Sequence, residues 1–317
     1  MSYDTSLKEG LDGASTSFQV GFQELFDGVP DGPWQRFAAE WPCNARTMDL
    51  SWLGAAPELE EWLGSRTETE MRSYNFQTEV TRYQASIPIR RLDMAYTNLP
   101  VVTRRLDDFL RGQRRYMTKL AIAKMVSNPT GYDGVSLFSA SHPHAGSSTG
   151  LNSNYTTSAL SAATYESATQ AMLEWTNEEG GSMSATPDTL IVGGKNRRIA
   201  LEVAKADQRA VVVDDTGGVG GSPSAGVTTI PNVFVGEVDV IVLPELSGSY
   251  DDYWFLVDSS KALIKPIIVQ MNRPVQPVVL DAMDGERRYS LDEFVYGLEG
   301  DFSFNAGAWQ TCYGGIL

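Results

Sequence analysis

The chain has little cysteine, little histidine, no long apolar run and too little positive charge to balance its acids. Cys43 and Cys312 are alone among 317 residues, too few for a disulfide framework and consistent with a reducing compartment. The only histidines, His142 and His144, flank Pro143. With no cysteine or acidic cluster beside them, they read as a turn with two solvated imidazoles rather than a metal site. No apolar stretch approaches bilayer-spanning length, and the polar first ten residues carry no secretory h-region, so no membrane association is expected. The net charge of −15 argues against a general nucleic-acid binder, which needs a basic face.

Motifs for chemistry are also scarce. Gly193-Gly194-Lys195-Asn196 follows a strand pattern and opens a helix pattern, but Asn196 stands where a phosphate loop needs Ser or Thr, so a tight turn is the better reading. Gly217-Gly218-Val219-Gly220-Gly221 lacks the third glycine of a dinucleotide fingerprint and reads as a loop tip. No catalytic residue, cofactor or metal is therefore expected, although a soluble enzyme stays open as the least favoured reading.

What is present is an unusual order of elements. Phe18, Phe22, Leu25 and Phe26 recur at helical spacing, and Asp27 to Pro33 breaks that helix. A short piece from Trp34 to Trp41 follows. So much aromatic surface on broken pieces must pack on something other than itself. Two Trp-Leu-Gly elements come next, Trp52-Leu53-Gly54 and Trp62-Leu63-Gly64, with a helical turn from Pro57 between them. Thr67 to Ile89 reads as a long hairpin, which is not stable alone in water. Leu99 to Val126 is the clearest helix. Its apolar stripe runs through Leu99, Val102, Leu106, Phe109, Gln113, Tyr116 and Leu120, and Asn128-Pro129 ends it.

A second helix starts at Ser161 as N-cap and places Tyr165, Ala168, Met172 and Trp175 on one face. A strand at Thr189–Val192, a helix at Lys195–Lys205 and a strand at Ala210–Val213 follow. Val233–Leu243 and Tyr253–Val257 are further strands. Lys265–Leu280 is extended, and its prolines suggest edge strands or an irregular ribbon. Phe294–Tyr313 is rich in aromatics and glycine. Charge is uneven: residues 1–81 carry a net −9 and residues 82–119 a net +6. The basic stretch has three possible partners: its own fold, a neighbouring subunit, or an anionic interior.

These residues resemble one family, the Mu-type major head protein of tailed bacteriophages. The resemblance is carried by Phe37-Ala38-Ala39, the double Trp-Leu-Gly run with Pro57 and Leu59 to Gly64, and Tyr74, Phe76 and Val80. It continues through Tyr132-Asp133-Gly134, Leu137-Phe138 and His142-Pro143, then Trp254 to Asp258 and Lys265 to Ile268. It departs at Arg90 to Tyr96, where an acidic stretch is expected.

The resemblance implies an α+β chain with the Hong Kong 97-type capsid fold: an N-terminal arm (1–48), an extended β-hairpin loop (49–90), and a peripheral domain (91–185) containing the spine helix Leu99–Val126. An axial domain (186–265) and a return to the peripheral domain (266–317) complete it. It further implies a major capsid protein of the virion, assembled in the host cytoplasm. Hexamers and pentamers would close into an icosahedral shell around double-stranded DNA without sequence-specific contacts. An encapsulin-like compartment of the same fold is the alternative. A separate scaffold, a portal and possible decoration proteins are the expected partners. The candidate assembly residues are Trp52, Trp62, Tyr74, Phe76, Arg111 and Arg115. Some shells of this fold are cross-linked through a loop lysine; this chain has none between Ser65 and Arg91, so a shell held by non-covalent contacts is expected.

Overall fold

The computed structural model describes residues 20–53, 73–90, 99–143, 151–176, 181–212, 227–261, 263–280 and 293–317. In chain order, helix α1 (20–28) leads through a 3₁₀ turn (Pro33–Arg36) to strands β1 (Ala38–Pro42), β2 (Thr47–Leu53), β3 (Ser73–Glu79) and β4 (Thr81–Arg90). Helix α2 (Leu99–Val126) precedes three two-residue strands, β5 (His142–Pro143), β6 (Leu151–Asn152) and β7 (Tyr155–Thr156). Then come α3 (Ala162–Glu174), β8 (Thr189–Val192), α4 (Arg197–Lys205), β9 (Gln208–Val212), β10 (Val227–Pro231) and β11 (Asp239–Val242). The chain closes with β12 (Trp254–Val257), β13 (Ile267–Leu280), β14 (Glu293–Ala306) and β15 (Cys312–Gly315).

Two sheets organise these elements. One is four-stranded, in the order β1-β13-β14-β4; the other is five-stranded, in the order β11-β8-β12-β15-β7. In the second sheet β8 and β12 are buried on both faces and read as unbroken apolar runs, Leu190-Ile191-Val192 and Trp254 to Val257. The main core lies between this sheet, α3 and the C-terminal half of α2. A second cluster joins the N-terminal half of α2 (Val102, Leu106, Leu110) to β14 (Phe294, Tyr296, Leu298) and to α1 (Phe22, Phe26).

Helix α2 has the expected limits, for local reasons. Pro100 fits the first turn, where no N–H partner is needed. Asn128 takes a positive φ of 46°, and its side chain bonds both backbone groups of Phe138, at 2.7 and 3.0 Å. Its buried stripe is rotated from the expected one: Val102, Leu106, Leu110, Met117, Ala121, Ile122 and Met125 point inward, whereas Tyr116 is exposed. Large aromatics drew the expected stripe to one side, while small Ala121 lets the helix approach the core closely. Helix α3 begins as expected, with Ser161 accepting from the Thr164 N–H at 3.1 Å, and Tyr165, Ala168, Met172 and Trp175 are all buried.

Several expectations are corrected. Strands β3 and β4 do not pair with each other as one hairpin. β3 pairs antiparallel with β2, and β4 crosses into the four-stranded sheet beside β14. The broken aromatic pieces do pack on other elements, and these belong to the same chain: Phe22, Trp34 and Phe37 are all buried, and β1 pairs parallel with β13. Residues 233–238 form turns, so the strand begins only at Asp239. β13 lies inside its sheet over Ile267–Met271, where β1 flanks it; Pro274 and Pro277 fall beyond β1, on the stretch bounded by β14 alone and interrupted by register shifts. One side of that stretch is a sheet edge, where proline is tolerated. Trp62, the helical turn at Pro57, His144 and the 217–226 loop tip lie outside the described residues.

Candidate functional site

The β2–β3 ribbon carries three of the six candidate assembly residues, Trp52, Tyr74 and Phe76. Its register places Trp52 opposite Tyr74 and Leu50 opposite Phe76. Among the described residues no third strand joins it. Phe76 is half-buried. The ribbon is fixed at its base. Thr78, itself buried, donates through Oγ1 to Gln270 Oε1 at 2.7 Å, and Gln270 Nε2 donates to the Ala45 carbonyl at 3.3 Å. Arg46 and Glu79 pair across the two strands at 2.7 Å.

Directly beyond this base, four charges span three strands. Arg82 on β4 reaches Glu299 at 3.0 Å and Asp301 at 3.7 Å; Arg273 on β13 reaches the same two carboxylates at 2.7 and 3.3 Å. Hydrogen bonding from Arg82, reinforced by Arg273, holds the Glu299 carboxyl below its ordinary range. The register explains the cluster, because Asp301 is cross-strand partner to both arginines. Nothing in the sequence signals it, since the two arginines lie 191 residues apart and meet only through long-range pairing.

Three basic residues of α2, Arg111, Arg114 and Arg115, are matched by acids inside the chain. Arg111 pairs with Asp107 one turn away at 2.8 Å, and Arg115 reaches Glu245 in the loop after β11 at 2.6 Å. Arg111 and Arg115 lie one turn apart but point to different acids. Arg114 rivets the N-terminal segment: its guanidinium pairs with Asp31 and covers the Phe26 ring at 4.5 Å. Beside Arg115 a groove of about 600 Å³ runs between α2 and the 245–250 loop, lined by Tyr116, Lys119, Ile122 and Tyr250.

The other expected turns resolve as follows. Lys195 is held by Asp252 at 2.6 Å and Asp251 at 3.5 Å, and Asn196 Nδ2 donates to the Asp252 carbonyl at 3.0 Å. The glycine turn thus binds its own chain, as the turn reading anticipated. His142 is not solvated. It is fully buried, with Nδ1 2.7 Å from Asp133 and Nε2 3.1 Å from Asn154. Among the described residues no group of three His, Cys, Asp or Glu side chains is placed to hold a metal ion, and no helix is long and apolar enough to cross a membrane.

The chain matches the family model described as Mu-like prophage major head subunit gpT over residues 11–159 and 236–315, more than two thirds of its length. It is 21% identical over 299 residues to the Mu-like prophage FluMu major head subunit of Haemophilus influenzae, covering 93% of this chain and 70% of that protein. It is 26% identical over 132 residues to the major capsid protein of Escherichia phage Mu, covering 40% of this chain and 42% of that protein. Its structure superposes on a chain from the procapsid of bacteriophage JBD30 with a TM-score of 0.55 at 18% identity, covering 97% of this chain and 75% of that one. An α+β chain with two large sheets, one long helix and a separate two-stranded ribbon thus joins a family match through most of its length: the chain belongs to the Mu-like prophage major head subunit gpT family, a phage major capsid protein of the Hong Kong 97-type fold and a component of the virion.

Proposed function

We propose that this subunit assembles into hexamers and pentamers of an icosahedral shell around double-stranded DNA, and that the β2–β3 ribbon is its principal reach toward neighbours. The carrying observation is the ribbon itself: two seven-residue strands, no third strand among the described residues, and a base fastened by Thr78–Gln270 and Arg46–Glu79. A two-stranded ribbon needs a further surface to be stable, and a fixed base would aim it at one. On this reading 1–48 is the arm, 49–90 the extended loop, 91–185 with 266–317 the peripheral domain, and 186–265 the axial domain, with α2 as the spine. Trp52, Trp62, Tyr74 and Phe76 make the intersubunit contacts. Arg111 and Arg115 act mainly within the subunit, given their pairing with Asp107 and Glu245.

The interior holds DNA without a dedicated binding surface, in keeping with a net charge of −15. No catalytic step is assigned. Scaffold, portal and any decoration proteins are separate chains, and the shell is held by non-covalent contacts because the extended loop lacks lysine.

The test is the double variant Trp52→Ala/Trp62→Ala. We expect subunits that melt like wild type but no longer sediment as particles. Particles at wild-type yield would refute the role given to the ribbon. A denaturing gel of mature particles should show one band at subunit mass, and a ladder of oligomers would refute the non-covalent shell.

A further inference from the structure

The residues of the His142 neighbourhood leave little freedom over where its protons sit. The ring has no exposed surface, and Nδ1 and Nε2 each face an oxygen, Asp133 Oδ2 at 2.7 Å and Asn154 Oδ1 at 3.1 Å. The Asn154 amide is oriented by its other bonds: Oδ1 accepts from the Ser139 N–H at 2.8 Å, and Nδ2 donates to the Leu137 carbonyl at 2.7 Å. A flipped amide would set N–H against N–H and oxygen against oxygen, so Nε2 must donate. On the other side, Asp133 Oδ1 accepts from the Val135 N–H at 3.1 Å, and the Asp133 side chain is 7% exposed. An ionised carboxylate only accepts, so Nδ1 must donate as well. A neutral imidazole has a single N–H.

We propose that His142 is an imidazolium in the folded subunit, and that Asp133, His142 and Asn154 form a charged latch. The latch ties the segment after α2 to the end of the chain. Trp309 covers the ring: its indole stacks on His142 at 4.3 Å and 9°, a face that can accept an imidazolium. Trp175 braces that indole edge-on at 5.5 Å. Asn154 extends the connection, because its side-chain Nδ2 donates to the Leu137 carbonyl and its backbone carbonyl accepts from the Gly314 N–H on β15 at 2.8 Å. Through the β5–β6 pairing of His142 with Asn152, the latch also holds the two ends of the 144–150 connection together. A buried pair of this kind does not loosen by degrees: removing one charge strands the other without water, while removing both is tolerated far better.

The chain has only two histidines, which makes the test direct. Histidine-selective ¹⁵N labelling gives two imidazoles, and the His144→Gln variant assigns them. At neutral pH we expect both His142 nitrogens to carry protons, and only one to do so in Asp133→Asn. A wild-type spectrum with a bare His142 nitrogen would overturn the proposal, whether the proton sits on Asp133 or is absent. A second readout covers a variant that fails to label cleanly. Asp133→Asn and His142→Gln should each lower the melting temperature, and the double variant should fall less than the two combined. Strict additivity would refute the latch.

Discussion

Replacing Phe22 with alanine should free α1 while leaving the two sheets intact. Phe22 is 1% exposed and meets Tyr296 edge-on at 5.4 Å, within the cluster formed by α2 and β14. Removing a ring from such a site costs about 3–5 kcal/mol, because the cavity cannot fully collapse. A helix this short has almost no stability of its own, so the loss falls on its docking. The remaining anchors are Phe26, Val29 and the Arg114 rivet. Arg114 is partly exposed, so it restores little: about 1 kcal/mol each for the cation–π contact and the ion pair is an upper figure. At tenfold per 1.4 kcal/mol, amide exchange across residues 20–28 should speed up by roughly 10²- to 10³-fold if α1 opens as a local unit. Hydrogen–deuterium exchange read by mass spectrometry measures this, with β8 and β12 as the unaffected reference. No acceleration at 20–28 would mean that α1 is not held by its own chain. Equal acceleration in β8 and β12 would mean that α1 is no separate unit.

Three further outcomes are expected. A Cβ at Gly315 would overlap the buried Trp254 indole, whose Nε1 donates to the Ser158 carbonyl at 3.0 Å. Gly315→Ala should therefore lower the unfolding free energy by about 1–3 kcal/mol, read as a lower urea midpoint at unchanged slope; an unmoved midpoint would refute this packing. Burial pushes the Cys312 thiol well above its ordinary range, so a thiol reagent should find one reactive cysteine, Cys43, in the native subunit and two after denaturation. Glu299 has a lowered carboxyl pKa, held chiefly by the Arg82 hydrogen bond. Its contribution to stability is therefore full above the unfolded value of about 4 and is lost as pH falls through the lower folded value. Melting curves from pH 6 down to pH 3 should show a smaller acid loss for Glu299→Gln than for wild type, and equal losses would contradict the cluster.

The elements that local chemistry decides were legible in the sequence. Pro100 and Asn128-Pro129 bound α2, Ser161 caps α3, and the apolar run Leu190 to Val192 marks a central strand. What sequence reading missed depends on pairings far apart in the chain. Nothing local indicates that Ala38 pairs with Ile267, or that β3 turns back to β2 rather than on to β4. The same holds for the candidate site. Trp52 and Tyr74 stand out by type, and their pairing follows from the ribbon. The Arg82–Arg273–Glu299–Asp301 cluster and the Thr78–Gln270 bond exist only because β4, β13 and β14 lie side by side. His142 misled because polarity alone suggests solvent; its burial comes from Asp133, Asn154 and Trp309, contributed by three separate segments.

The central claim is that this chain completes itself only in a closed assembly. Electron microscopy of the purified, expressed protein tests it most directly, with nucleic acid content followed by the ratio of absorbances at nucleic-acid and protein wavelengths. The account predicts icosahedral shells, DNA-filled when taken from virions. A compact monomer at every salt concentration, with no large assembly, would contradict it.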